Sequence, residues 1–388
     1  MTLSTQHQKH LVLLGAGNAH IHVLSTLASH ALPDIKITLI TPYPRQLYSG
    51  MVPGFVAGHY TLDDCVIPLE PLLKKTTVQW LPRRVTALNA NQCTLTLDDG
   101  SEVSYDWLSV NTGPVQERKR LEQTLPGVCE YGLFVRPLEG FGALWPRVTE
   151  LAQNTALRVV VLGGGAAGIE LAMAMAYRLP TATVTLVTGG AAVGANYTPA
   201  VQQRIVKALV RRNITVLVDT AVSIQKEEVL LASGTRLACD VPVIATSAQA
   251  PAWLEDTSLT LNEAGILSAA LRLAVDEHGF IAVDACQRST SHPNVFAAGD
   301  VSTRMDLPLA RSGVYAVRAG PALTKNLTAV IAGQEPSPHM PPEKTLNLLS
   351  CANQTAIASW GNYSAQGRWV WWLKDWIDRS FIKRYRRI

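Results

Sequence analysis

Two stretches of this chain follow one design, and that design leaves few folds open. Residues 11–20 read LVLLGAGNAH and residues 157–173 read LRVVVLGGGAAGIELAM. In each, an apolar run without alternation meets a glycine turn and then a helical pattern. A strand that is apolar at every position is buried on both faces, as in a parallel sheet covered by helices. Strand 10–15, helix 18–30 and strand 36–41 complete a first βαβ unit. Strand 157–163, helix 166–179 ending before Pro180, and strand 183–188 complete a second. Short alternating strands follow each unit, in LTLDDGSEVSYDWLSV and LLASGTRLACDVPVIAT. The expected class is α/β, with one architecture used twice.

The glycines say what such turns do. In Gly163-x-Gly165-x-x-Gly168 the first permits a tight turn, the second lets a pyrophosphate approach the backbone, and the third packs helix on strand. The helix N-terminus beyond presents free N–H groups and partial positive charge to phosphate. Both units therefore predict Rossmann-like dinucleotide-binding domains. Gly15 and Gly17 repeat the first two glycines, but His20 stands where a third small residue is usual. It either packs beneath the turn or donates to the pyrophosphate.

Composition narrows the functions. The chain of 388 residues is 47% hydrophobic and 16% charged, ordinary for a globular protein. Its formal charge of +4 is matched by residues 369–388, where six Lys/Arg oppose two Asp, so no nucleic-acid groove is expected. Six scattered cysteines form no CxxC pair, which argues against a metal ribbon and for a reducing compartment. Residues 1–10 lack an apolar signal core, and no run approaches eighteen apolar residues. A cytoplasmic location is expected.

A third element ties the two units together. In TSHPNVFAAGD, residues 290–300, a strand delivers Asp300 to its C-terminal end, where a carboxylate can accept a hydroxyl hydrogen bond. With GAGNAH, YSGMVPG, VNTG, GGGAAGIE, HPNVFAAGDV, RSGVYAVRAGP and the tail GRWVWWLKDWIDRSFIKRY, the chain resembles the FAD-dependent pyridine nucleotide-disulfide oxidoreductases over nearly its full length. Within them it resembles the type II NADH dehydrogenase and sulfide–quinone reductase branch, and most of all the flavoprotein domain found fused to selenide, water dikinase.

That resemblance implies a discontinuous FAD domain of residues 1–118 and 280–344, an NAD(P)-binding-like domain of 119–279, and a C-terminal segment of 345–388. It implies that Gly15, Gly17, Asn18, Ala19 and His20 cradle the FAD pyrophosphate, with Gly299 and Asp300 at the ribityl chain. Thr41 stands where a ribose-binding acid is usual, and Arg45 would reach a phosphate. Gly50 and Met51 would lie beside the isoalloxazine, Val85 at the adenine, and Thr112 and Gly113 where the chain leaves the domain. A helix starting near Pro308-Leu309 would aim its N-terminus at the flavin through Leu309, Ala310 and Arg311. NAD(P)H would bind over Gly163, Gly165 and Gly168, with Glu170 at its nicotinamide end. A quinone or other acceptor would take the electrons.

Three departures and one cysteine leave alternatives open. Thr188 replaces the ribose acid of the second unit, so coenzyme preference is not specified. Arg311 and Tyr315 stand in LARSGVYAV where the dehydrogenases carry a glutamine motif for quinone. Cys351 in LLSCANQ offers a thiol to a sulfur or selenium redox enzyme, if it is not inert core. A non-enzymatic flavin-binding module is the third reading. In the tail, Trp369, Trp372, Leu373, Trp376 and Ile377 share one helical face, suited to the inner surface of a cell membrane or to a homodimer.

Overall fold

The structure, a computed structural model, describes residues 8–32, 34–246, 248–254, 272–309 and 311–386. Ala310, expected in the site, lies outside the described residues. In chain order the elements used below are β1 (His10–Leu14), α1 (Asn18–Ser29), β2 (Lys36–Ile40), β3 (Gln79–Leu81) and β4 (Trp107–Val110). Then come β5 (Leu133–Phe134), β6 (Arg158–Leu162), α2 (Ala166–Arg178), β7 (Thr183–Val187), α3 (Pro199–Val210), β8 (Thr215–Leu217) and β9 (Val241–Ile244). The chain closes with β10 (Val295–Ala297), α4 (Gly313–Ile331), β11 (Leu346–Ser350), β12 (Ala356–Trp360), β13 (Tyr363–Gly367) and α5 (Arg368–Arg386).

Two parallel five-stranded sheets have the same plan, β10-β4-β1-β2-β3 and β5-β9-β6-β7-β8. The central strands β1 and β6 are nearly or wholly buried, as their unbroken apolar runs require. A small three-stranded antiparallel sheet is inserted in each, at 85–104 just before β4 and at 221–238 just before β9. The first large sheet is completed by β10, 185 positions beyond the end of β4. Residues 334–344 carry no helix or strand, as their prolines dictate.

The C-terminal segment is an antiparallel sheet, β11-β12-β13, overlaid by α5. Helix α5 turns a mixed face inward. Val370, Asp378, Phe381, Ile382 and Tyr385 are buried at helical spacing, and Lys374 lies with them. Trp369, Trp372 and Trp376 are 56%, 57% and 67% exposed. The aromatic stripe therefore faces away from the protein, and the charged pair Lys374–Asp378 faces into it. Among the described residues no helix is long and apolar enough to cross a membrane.

Candidate functional site

The two glycine turns look alike in sequence and differ in structure. In the first, Asn111, just after β4, governs the geometry. Its Oδ1 accepts from the Ala19 and His20 N–H groups at 3.0 and 3.1 Å, and its carbonyl accepts from Gly17 N–H at 3.0 Å. Its Nδ2 donates to Ala298 O at 2.5 Å. A Cβ on Gly17 would stand 2.4 Å from Asn111 Oδ1, and one on Gly15 would stand 2.7 Å from Asn111 O. These glycines thus fit against Asn111. Among the described residues, the Ala16 and Asn18 N–H groups have no acceptor and remain for a phosphate. The N–H groups of Gly17, Ala19 and His20 are taken by Asn111.

His20 packs. Its Nδ1–H donates to Gly15 O at 2.5 Å and its Nε2 accepts from Ser109 Oγ at 2.8 Å. Both ring nitrogens are used, so the side chain does not reach a cofactor. Burial lowers its pKa to about 4, with the Gly15 bond opposing, and the ring is neutral at pH 7.

Opposite this turn, Gly299, Asp300, Leu309 and Arg311 line a small cleft with Gln287 and Tyr315. Among the described residues, no hydrogen-bond donor meets the Asp300 carboxylate. Burial raises its pKa, and the charges of Arg136 and Arg311 pull it down. Gln287 Oε1 is also buried without a partner. An orphan carboxylate and an orphan amide oxygen are acceptors matched to a polyhydroxyl ligand. Three expectations change here. The helix begins at Gly313, after Ser312 at the N-cap position, whose hydroxyl makes no cap bond, and not near Pro308-Leu309; residues 305–309 and 311–312 carry no helical turn. Arg311 donates to Asp276 Oδ2 at 2.9 Å and to Thr303 Oγ1 at 2.8 Å, and stacks 3.6 Å over Phe280, so its guanidinium is already engaged. Met51 is fully buried in the core, and only its backbone can face a flavin.

The remaining expected residues are dispersed around the same edge. Gly50 sits in the Ser49–Met51 turn, and a Cβ on Gly313 would lie 3.9 Å from Ser49 Oγ, so the start of α4 abuts that turn. Thr41 is buried at the end of β2, where its carbonyl accepts from Trp80 Nε1 at 2.9 Å. Arg45 lies half-exposed on a short strand, and Val85 is half-buried in the small sheet. Gly113 has φ +72° and follows Thr112, whose Cα lies 2.7 Å from where a Gly15 Cβ would be.

In the second turn the glycines separate by cause. A Cβ on Gly163 would meet Ala245 O at 2.3 Å, and one on Gly168 would meet Gly163 O at 1.8 Å. A Cβ on Gly165 would meet nothing within 4 Å. The fold requires Gly163 and Gly168, while Gly165 leaves open space before the exposed residues Ala166 and Ala167 of α2. That space leaves room for a ligand to approach the backbone.

Glu170 lies one turn further along α2. It accepts from Ser350 N–H at 2.7 Å, and burial raises its pKa to about 7 against the pull of Lys374. Lys374 Nζ donates to Gly50 O and to Asp378 Oδ2, each at 2.8 Å. Glu170 is thus linked electrostatically, through Lys374, to the Gly50 turn. Cys351 is fully buried and burial lifts its thiol to about 11. It is protonated at neutral pH, which corrects its expected place as a catalytic thiolate. Sequence reasoning missed Asn111, Arg136 and Lys374. The VNTG stretch signalled the first, and nothing local signalled the other two.

Residues 9–320 match the family described as pyridine nucleotide-disulphide oxidoreductase. A sulfide-quinone reductase of Aquifex aeolicus is 31% identical over 106 residues, 27% of this chain and 24% of that protein. An NADH dehydrogenase-like protein of Mycobacterium tuberculosis is 29% identical over 260 residues, 63% of this chain and 60% of that one. The match thus spans less than two thirds of either relative. Among solved structures, NDH2 of Plasmodium falciparum in complex with NADH superposes with TM-score 0.78 at 13% identity, covering 98% of each chain. The sulfide:quinone oxidoreductase of Aquifex aeolicus gives TM-score 0.77 at 18% identity, covering 98% of this chain and 92% of that one. At such identities the likeness is one of fold.

Proposed function

The chain belongs to the pyridine nucleotide-disulphide oxidoreductase family, and from that premise we propose that it is an FAD-dependent oxidoreductase that oxidises NAD(P)H and delivers the electrons to a quinone or similar acceptor. The observation that carries the reading is the contrast between the turns: one is tied to Asn111 and lies near the orphan acceptors at Asp300 and Gln287, the other has open space at Gly165. Two different dinucleotides fit two different turns.

FAD, when bound, supplies the two-electron chemistry. Gly15, Gly17, Ala16 and Asn18 would hold its pyrophosphate and Gly299 and Asp300 its ribityl hydroxyls, with Gly50, Val85, Thr112 and Gly113 along its length. The start of α4 presents unpaired N–H groups and a positive helix end near the Gly50 turn. Gly163, Gly165 and Gly168 would seat the coenzyme. Glu170, with a pKa near neutrality, holds or releases a proton beside Lys374. On this reading the first sheet belongs to a domain of 1–118 with 280–344, the second to 119–279, and the C-terminal sheet to 345–388.

Helix α5 adds a location. Three exposed tryptophans beside Arg368, Arg379 and Lys383 suit an anionic membrane surface, where aromatic rings insert and cations meet headgroups. Peripheral contact on the inner face of a membrane brings the protein to a lipid-soluble acceptor. A homodimer through the same face is the competing outcome.

Anaerobic addition of NADH or NADPH to the purified protein should bleach the flavin absorbance. Gly165→Val should abolish that bleaching with FAD content unchanged, because the side chain fills the open space there and meets nothing of the fold. Flavin that stays oxidised with both coenzymes refutes the dehydrogenase reading.

A further inference from the structure

A cavity of about 550 Å³ lies away from both glycine turns, between the C-terminal ends of α2 and α3 and the C-terminal sheet. Ala176 and Tyr177 of α2, Asn353, Thr355, Gln366, and the arginines Arg204, Arg211 and Arg212 line it. Ala176 is eleven residues along α2 from Gly165, which is about 16 Å at the helical rise. No Asp or Glu is in the lining.

The arginines are incompletely used. Arg204 Nε donates to Ser364 Oγ at 3.1 Å. Arg212 donates to Ala208 O at 3.1 Å, to Asn353 Oδ1 at 2.5 Å and to Cys351 O, yet its buried Nε–H has no acceptor. Arg211 has, among the described residues, no carboxylate partner. Part of this charge answers the two helix ends. Each C-terminus carries roughly half a negative charge, so α2 and α3 together offset about one of three cations and leave about two. That excess, set among the amide donors of Asn353 and Gln366 and the hydroxyl of Tyr177, matches a doubly charged oxyanion.

We propose that this cavity is a binding site for a phosphate-bearing ligand, distinct from both dinucleotide turns. The site does not depend on the redox reading. Its ligand can come from solution or from a lipid headgroup, because Gln366 and Gly367 lead directly into Arg368 and the exposed Trp369.

Inorganic pyrophosphate is the probe. Calorimetric titration of the full FAD-loaded chain carrying Gly165→Val, so that the coenzyme turn does not contribute, should give saturable one-to-one binding. Arg204→Gln with Arg211→Gln should weaken it at least tenfold, with circular dichroism and FAD content unchanged. Arg211→Glu alone, at an exposed side chain, should weaken it comparably and guards against a folding defect in the double variant. Absence of binding, or equal affinity in the arginine variants, overturns the proposal. Vesicles of phosphatidylglycerol separate the sources. Release of bound protein by pyrophosphate identifies a lipid phosphate as the occupant, and vesicle association unaffected by it identifies a soluble one.

Discussion

Two buried groups, His20 and Glu170, make opposite demands on pH. The folded pKa of His20, about 4, lies below its unfolded value, so its contribution is present above about pH 6.5 and lost as pH falls toward 4. Glu170 is raised to about 7, so its contribution is present below about pH 4.5 and lost as pH rises through 7. Replacing His20 by Asn should destabilise the protein at pH 7.5 by about 1–3 kcal/mol through its two lost bonds. The difference from wild type should shrink by about 2 kcal/mol at pH 5, where wild type bears the cost of keeping the imidazole neutral. Glu170→Gln should do the reverse and stabilise the chain above pH 7. Unfolding midpoints of the three proteins at both pH values check the pair. His20 was legible as part of a turn, but its role was not: Gly15 O fixes its tautomer nearby, while Ser109, which takes up the second ring nitrogen, lies 89 positions away.

At the scale of elements, both βαβ units could be read from sequence to within a residue or so at each end, because continuous apolar strands and glycine turns are local signals. The start of α4 was misplaced, since Pro308 also suits a first helical turn, whereas the helix starts at Gly313. Helix α5 was legible as a helix, and its tryptophan face as a stripe. Which face would be buried depended on Gly50 O and Glu170, far away in sequence, as partners for Lys374. Changing Trp372 and Trp376 to Ser should sharply reduce sedimentation with anionic vesicles even at low salt, because apolar insertion is lost and the cations remain. FAD content should not change. A drop to half the mass in light scattering, without vesicle binding by wild type, would instead identify a dimer face.

Across the whole molecule, the C-terminal segment joins the two halves. Ser350 binds Glu170 of the second unit, Lys374 binds Gly50 of the first, Tyr60 donates to Asp375 Oδ1 at 2.6 Å, and Arg386 donates to Val66 O at 2.9 Å. The Lys374–Asp378 pair, with side chains 11% and 6% exposed, is the buried centre of this clamp. Lys374→Met would leave the Asp378 carboxylate buried without its cation, with only the Tyr48 hydroxyl bond remaining, a loss of about 3–5 kcal/mol. The thermal midpoint should fall clearly, and Lys374→Met with Asp378→Leu should recover much of it. Recovery that fails in the double variant would mean that the clamp acts through Gly50 and not through the ion pair.

The double attachment of Asn111 also sets an order in time. Its Oδ1 can close the first glycine turn as soon as residue 111 has left the ribosome, but its Nδ2 waits for Ala298, 187 positions later. At ordinary synthesis rates that interval is roughly 10–40 s. During it, the nascent chain can shape one wall of the pocket while Asp300 has yet to emerge. A chain truncated before residue 298 would lack that second attachment, and with it the wall that Asp300 is proposed to supply.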